Sequence, residues 1–327
     1  MNIMRKINEL NAFLITNEEL RETIENIGWK NFISEIKKGF EQSSLGQTVV
    51  PEKVYVITEV SDMRCMPAYL PNYNPNYCGV KIVTVAPDNK KLGIPTVLGE
   101  YILRDAKTQE LLAIMQAEEM TAFRTGAATA VATDVLSRKN SKTLGIMGAG
   151  KQAFYQTKGI LTVRPSIDRV KINDISEDCA KRFKEKYEKE FGVEVICTNL
   201  ENTMDSDILT TITPSTKPFI SPELVKTGTH INGVGADSKI KIEFEPNVLK
   251  KSKVFVDCLS QCIHSGEVYR ALKEGVIKKE DLISVGDVII GKAKGRTDKD
   301  EITFFKSTGV AFQDLITAIM VFEKLKK

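Results

Sequence analysis

Three groups of residues in this chain have the types and spacing to do chemistry. The first is the turn Gly148-Ala149-Gly150, with Ala153 three residues on and Asp174 24 residues past Gly150. An apolar run at 143–147 enters the turn, a helix-like segment follows, and a short strand pattern at 169–173 ends on Asp174. Strand, G-x-G-x-x-A, helix, strand and acid, in that order, make a dinucleotide-binding fingerprint. Gly148 permits the tight turn. Gly150 lets backbone N–H groups at the helix start approach a pyrophosphate, aided by the helix dipole. Ala153 is small enough for the helix to lie close on its strand. Asp174 is spaced to accept hydrogen bonds from the adenosine ribose and to repel a 2′-phosphate, so NAD is expected in preference to NADP.

The second group follows later strand patterns, where ligands sit in a doubly wound sheet. Thr213-Pro214-Ser215 comes after one, and Gly233-Val234-Gly235-Ala236-Asp237 after the next. Asp237 reads as an acid/base group or an ammonium partner, or simply as a turn-forming Asx residue. The third group is cationic: Lys53, Arg64, Lys81 and Arg124, each in an apolar or proline-marked context. Lys81 lies inside the strand pattern GVKIV, where burial would lower its pKa. Arg124 sits among small residues, where a guanidinium can grip a carboxylate or pyrophosphate in two-point fashion. Each cation alone also reads as an ordinary structural or surface residue.

Composition excludes several alternatives. With 327 residues, 42% hydrophobic and 27% charged, the chain is of globular type and long enough for about two domains. A net charge of +3 is too balanced for nucleic acid or an anionic membrane as main partner. No apolar run approaches the roughly 20 residues of a membrane span, and the start lacks a signal-peptide core, so a cytoplasmic protein is expected. Six cysteines with no C-x-x-C pair read as reduced thiols. Only His230 and His264 are present, which argues against a histidine zinc site; no metal is expected. There is no G-x-S-x-G elbow for a serine hydrolase.

The elements that must position these residues follow from periodicity. Thr16 and Glu19 form a capping-box pattern ahead of an amphipathic helix broken near Gly28 and ending near Gly46. Strands are expected at 53–60, 79–85, 95–103 and 111–115, with Pro67, Pro71, Pro75, Pro87 and Pro95 punctuating loops. A helix over 117–136 leads into the fingerprint. Six strand patterns, at 143–147, 169–173, 193–197, 207–212, 229–234 and 253–257, predict a doubly wound sheet. A late strand at 301–305 and an amphipathic helix at 309–325 are expected to return to the first region. The fold class is therefore α/β: a doubly wound Rossmann domain plus an α+β domain built from both chain termini.

Ordered blocks along nearly the whole chain resemble the ornithine cyclodeaminase/mu-crystallin family: PEKVYV and MRCMPAYL within 51–70, GVKIV, GIPTVL, TAFRTGAATA, GIMGAGKQA, TPSTKP, THINGVGADSKIK-x-E, HSGEV and EITFFKSTGVAFQD. The resemblance implies a substrate-binding and dimerisation domain from residues 1–120 with 303–327, and an NAD-binding Rossmann domain from 121–302. It implies that Lys81 is the active-site lysine, near the substrate carboxylate, and that Arg124 meets both substrate and cofactor. Asp237 matches the family's acid. Thr96, Gly148, Ala149, Gly150, Lys151, Gln152, Asp174, Lys241 and Ser307 fall where the family contacts NAD, with Val234, Gly235 and Ala236 in the adjoining loop. The usual D-x-P-G-K-x-E departs here to Lys239-Ile240, with Lys241 and Glu243 still in register.

Two positions bear on substrate. Ornithine cyclodeaminases have Arg at the position of Lys53 and Glu at that of Arg64. A cation at 64 suits a carboxylate and repels the ornithine side chain; the pair Lys53/Arg64 is similar to the archaeal alanine dehydrogenases of the family. The expectation is an NAD-dependent amino-acid dehydrogenase, homodimeric, with Lys53, Arg64, Lys81 and Arg124 binding a small 2-oxo or amino acid and Lys81 or Asp237 moving protons. The alternatives are an ornithine cyclodeaminase, a cyclic ketimine (pyrroline-2-carboxylate) reductase, and a non-catalytic NAD(P)-dependent ligand carrier like mu-crystallin.

Overall fold

The computed structural model describes residues 5–7 and 12–327. The chain divides into two units, one of Met1–Thr125 with Val310–Lys327 and one of Gly126–Gly309. The first unit is thus built from segments of both the N-terminal and the C-terminal parts of the chain.

Its sheet has seven strands: β1 (Arg5–Ile7), β2 (Ala12–Ile15), β3 (Val54–Ile57), β4 (Asp62–Tyr69), β5 (Tyr77–Val85), β6 (Val97–Asp105) and β7 (Leu111–Gln116), in spatial order β1-β2-β7-β6-β5-β4-β3. All neighbours are antiparallel except β2 and β7. Two helices precede β3. Thr16 and Glu19 make the reciprocal capping box of Asn17–Ile27, and Gly28, at φ 84°, separates it from Trp29–Ser44. The C-terminal helix Ala311–Leu325 packs on Trp29–Ser44 and on β4, β5 and β6. The crossing is tight: a Cβ on Gly39 would lie 2.6 Å from Ile316 and Phe312.

β4 corrects the reading of Pro67 as a loop residue. Pro67 sits in mid-strand, paired with Val80. β3 pairs only with Asp62–Cys65 of β4, so on that side Pro67 has no strand neighbour to require an N–H.

The second unit is an eight-stranded, wholly parallel sheet: β8 (Thr143–Met147), β9 (Arg169–Asn173), β10 (Glu194–Cys197), β11 (Ile208–Thr211), β12 (His230–Gly233), β13 (Ser252–Val256), β14 (Leu282–Ser284) and β15 (Ile302–Lys306). The order is β10-β9-β8-β11-β12-β15-β13-β14. Its first five strands follow the doubly wound arrangement, with the switch point between β8 and β11.

The late strand does not return to the first region, as expected from its position in the chain. β15 inserts between β12 and β13, and the unit boundary falls after Gly309. ITFFK is buried at every position, and only an interior place in a parallel sheet covers both faces of such a run. Among the described residues, no helix is long and apolar enough to cross a membrane.

Candidate functional site

In the first unit β5 carries Lys81, with Met66 of β4 and Tyr101 of β6 opposite it. Lys81 is 1% exposed. The helix Glu118–Leu136 supplies Thr121 and Arg124, and the C-terminal helix supplies Gln313 and Asp314. Lys81 Nζ donates to Asp314 Oδ1 at 2.7 Å and lies 3.4 Å from Thr121 Oγ1. Arg124 Nε donates to the same Oδ1 at 3.1 Å, and its Nη1 to Gln313 Oε1 at 3.0 Å. Burial pushes the Lys81 ammonium down to about 7; Arg124 pushes the same way and Asp314 opposes both. Three atoms of this cluster are buried without a hydrogen-bond partner among the described residues: Asp314 Oδ2, Gln313 Nε2 and the Tyr101 hydroxyl. Burial holds that hydroxyl well above its usual pKa, with the Asp314 charge adding to it.

The other predicted substrate residues lie in the same unit. Arg64, in β4, is buried and held by Asp62 through Nε–Oδ1 at 2.6 Å and Nη2–Oδ2 at 3.1 Å, with its guanidinium 5.6 Å from the Tyr55 ring centre. Lys53 is half-buried just before β3, and its charge is felt at Lys81. Thr96 precedes β6; its carbonyl accepts from Ala86 N–H at 2.9 Å.

The second unit holds the fingerprint. Gly148 has φ 102°, and its N–H reaches Asn173 O at 2.8 Å. A Cβ on Gly148 would come within 3.1 Å of Ile212 O, so the turn tolerates only glycine. Gly150 caps Lys151–Val163 in extended geometry without any side-chain cap, and nothing lies within 4 Å of where its Cβ would be. Lys151 and Gln152 open that helix. Ala153 N–H turns back onto Gly150 O at 3.0 Å, and no side chain caps the N–H groups at this helix start, so the positive end of the dipole there fits a pyrophosphate. Asp174 accepts from Ala149 N–H at 2.7 Å and Ser176 N–H at 2.8 Å, which fixes its carboxylate beside the glycine turn where a ribose diol would be met. These residues fit a dinucleotide.

Beyond β12, Val234 and Gly235 both donate to Thr211 O at 3.0 Å, and Ala236 is fully buried. Asp237 and Lys241 pair at 2.8 Å. Ser307 is buried, with its hydroxyl on Asp257 Oδ2 at 3.1 Å; the same oxygen accepts from Thr308 N–H and Gly309 N–H. His230 is buried between Thr303 Oγ1 (2.9 Å) and Asn232 Oδ1 (3.1 Å), and burial first, then Arg296, pushes its pKa down to about 3, so it is neutral.

Sequence reasoning passed over a buried network under these loops. Glu243 accepts from Thr211 Oγ1 (2.7 Å), Thr213 N–H (2.7 Å), Thr213 Oγ1 (2.8 Å) and Gly235 N–H (3.1 Å). Glu267 accepts from Glu243 N–H at 2.8 Å and from Lys306 Nζ at 2.7 Å. Burial, then the neighbouring Glu267 charge, raises the Glu243 pKa. Burial alone would lower that of Lys306, but Glu267 overrides it and the ammonium is raised. Asp314 and Gln313 were also missed. Their signal was a polar pair inside the apolar helical run AFQDLITAI, which marks a buried polar site.

The model of the ornithine cyclodeaminase/mu-crystallin family matches residues 17–327. Alanine dehydrogenase of Archaeoglobus fulgidus is 38% identical over 315 residues, 96% of this chain and 95% of that one. A solved archaeal alanine dehydrogenase dimer with bound NAD is similar at a TM-score of 0.91 and 38% identity, over 96% of each chain. Delta(1)-pyrroline-2-carboxylate reductase of Thermococcus litoralis, solved with NADH and L-proline, is similar at a TM-score of 0.91 and 34% identity, over 96% of this chain and 97% of that one. This chain belongs to the ornithine cyclodeaminase/mu-crystallin family.

Proposed function

We propose that the chain is an NAD-dependent oxidoreductase acting on CH–NH2 groups, and specifically an alanine dehydrogenase interconverting pyruvate, ammonia and NADH with alanine. The observation that carries the substrate class is the charge balance of the first unit. Two buried cations, Lys81 and Arg124, share one carboxylate oxygen of Asp314. A buried excess of positive charge is costly unless an anion joins it, and a substrate carboxylate is such an anion. Lys53 adds to the same bias, and Arg64, although paired with Asp62, further disfavours a substrate with a cationic side chain.

NADH, when bound, supplies the hydride that reduces carbon 2. Arg124 and Arg64 orient the carboxylate by charge-assisted hydrogen bonds. Ammonia adds to the carbonyl carbon, and the carbonyl oxygen leaves as water after taking protons. Lys81, whose two protonation states are both populated near pH 7, is suited to deliver and recover such a proton. Asp237 is the second group for that role.

Reduction of a cyclic imine next to a carboxylate uses the same cations, and the likeness to the proline-bound reductase makes it the second reading. NADH consumption with pyruvate and ammonium, run beside pyrroline-2-carboxylate and ornithine, tests both. Turnover that requires pyruvate and ammonium together, reversed with alanine, supports the dehydrogenase. Turnover of the cyclic imine alone moves the protein to the reductase branch. Binding of NADH with no turnover of any of them leaves the ligand-carrier reading.

A homodimer is part of this reading. Every residue of edge strand β3 is exposed, among them Val54, Val56 and Ile57, which suits a second copy. Light scattering at micromolar concentration checks it. Six cysteines, none of them in a disulfide among the described residues, suit the reducing cytoplasm.

A further inference from the structure

We propose that Asp314 is the positioning residue of the active-site lysine: one carboxylate oxygen holds Lys81 Nζ and Arg124 Nε together, orients both toward the substrate carboxylate and favours the ammonium form of the lysine. This rests on the reading of Lys81 as a proton-transfer group.

Three observations carry it. The first is geometric: Asp314 Oδ1 is 2.7 Å from Lys81 Nζ and 3.1 Å from Arg124 Nε, and the Lys81 and Asp314 side chains are 1% and 0% exposed. The second is the wiring. Asp314 Oδ2 has no hydrogen-bond partner among the described residues, and a buried carboxylate serving only structure would have both oxygens satisfied. The third is charge. The groups facing Lys81 are Arg124 and Thr121 on the central helix, Asp314 on the C-terminal helix, Tyr101 on β6 and Lys53 before β3. Tyr101 is neutral and Arg124 and Lys53 are cationic, so among these groups Asp314 is the one that favours the ammonium. Burial and the two cations already bring Lys81 to about 7 against that single opposing charge. Without it, the lysine would be mostly neutral at pH 7 and would have no proton to give.

The test reads Lys81 directly. Protein labelled with 13C at lysine Cε is titrated by NMR, and the Lys81 signal is assigned by its loss in Lys81→Gln. The expected midpoint lies near neutrality in the native protein and falls by at least one pH unit in Asp314→Asn, a tenfold rise in the acid constant. Reductive turnover, which needs the ammonium, then loses its high-pH limb at correspondingly lower pH. Asp314→Glu keeps the charge but displaces it by one methylene, so it gives a smaller fall of about two- to fivefold, and it decides the matter if the Asn variant does not fold. An unchanged or raised midpoint in the folded variant overturns the proposal. The titration does not depend on which substrate is turned over, so failure of the dehydrogenase reading would show in the assay and not in this midpoint.

Discussion

Asp237 Oδ1 and Lys241 Nζ lie 2.8 Å apart within one short loop beyond β12. A residue expected to move protons and one expected to contact cofactor are therefore partners. Both are about a quarter exposed, and a pair of that kind adds only about 0–1 kcal/mol to stability. Substitutions here should change function without unfolding the chain. Asp237→Asn is expected to lower kcat about 10²–10⁴-fold, the span of a lost acid/base group, with the melting temperature nearly unchanged. Lys241→Met is expected to raise the KM for NADH more than it lowers kcat. Steady-state kinetics on both separates the roles; a native kcat in Asp237→Asn leaves Lys81 as the proton-transfer group.

Asp174 is expected to govern the choice of dinucleotide. Its carboxylate is bonded to Ala149 and Ser176 N–H groups, so it cannot swing away from an incoming 2′-phosphate without losing both. Hydrogen bonds to a charged group are worth about 1.5–3 kcal/mol. Asp174→Asn should raise the KM for NADH roughly 10- to 100-fold and narrow the preference over NADPH. Measuring kcat/KM for both cofactors checks this, and an unaltered ratio would refute the assignment.

Arg64 is expected to select against a cationic substrate. Arg64→Gln should lower kcat/KM for the 2-oxo acid at least tenfold while leaving the KM for NADH in place. Arg64→Glu should lower it further and admit ornithine. If neither variant loses pyruvate turnover nor gains activity on ornithine, position 64 is not a selector. A melting curve accompanies both variants, because Arg64 is buried against Asp62.

Glu243 is expected to make stability depend on pH. Its pKa is raised in the folded state, from 4.5 toward about 7, so the folded chain binds a proton that the unfolded chain releases more readily. Its contribution is therefore most favourable below about pH 4.5 and is lost as pH rises toward 7. Glu243→Gln, which retains most of the hydrogen-bonding shape, should flatten that part of the profile. Thermal unfolding from pH 5 to 8 compares the two slopes; parallel slopes would contradict the prediction.

What could be read from the sequence was local. The βαβ fingerprint from Thr143 to Asp174 is specified by residues within one supersecondary unit, and so is the Thr16/Glu19 capping box. In both, the period of apolar residues and the turn chemistry act over a few positions. The catalytic candidates Lys81 and Asp237 and the binding candidate Arg124 were legible through residue type and context, and through a resemblance spanning the chain.

Tertiary structure decided which groups meet. Lys81 and Asp314 are 233 positions apart, and no periodicity links them; only the packing of the C-terminal helix on β5 brings the carboxylate to the ammonium. Glu267 reaches Lys306 across 39 positions in the same way. Pro67 could stand inside β4 because β3 ends before reaching it, and β15 moved to the sheet interior because both of its faces had to be buried. Local propensity sets which elements form. Partnership among buried charges depends on desolvation and distance, and those exist only once the chain has folded.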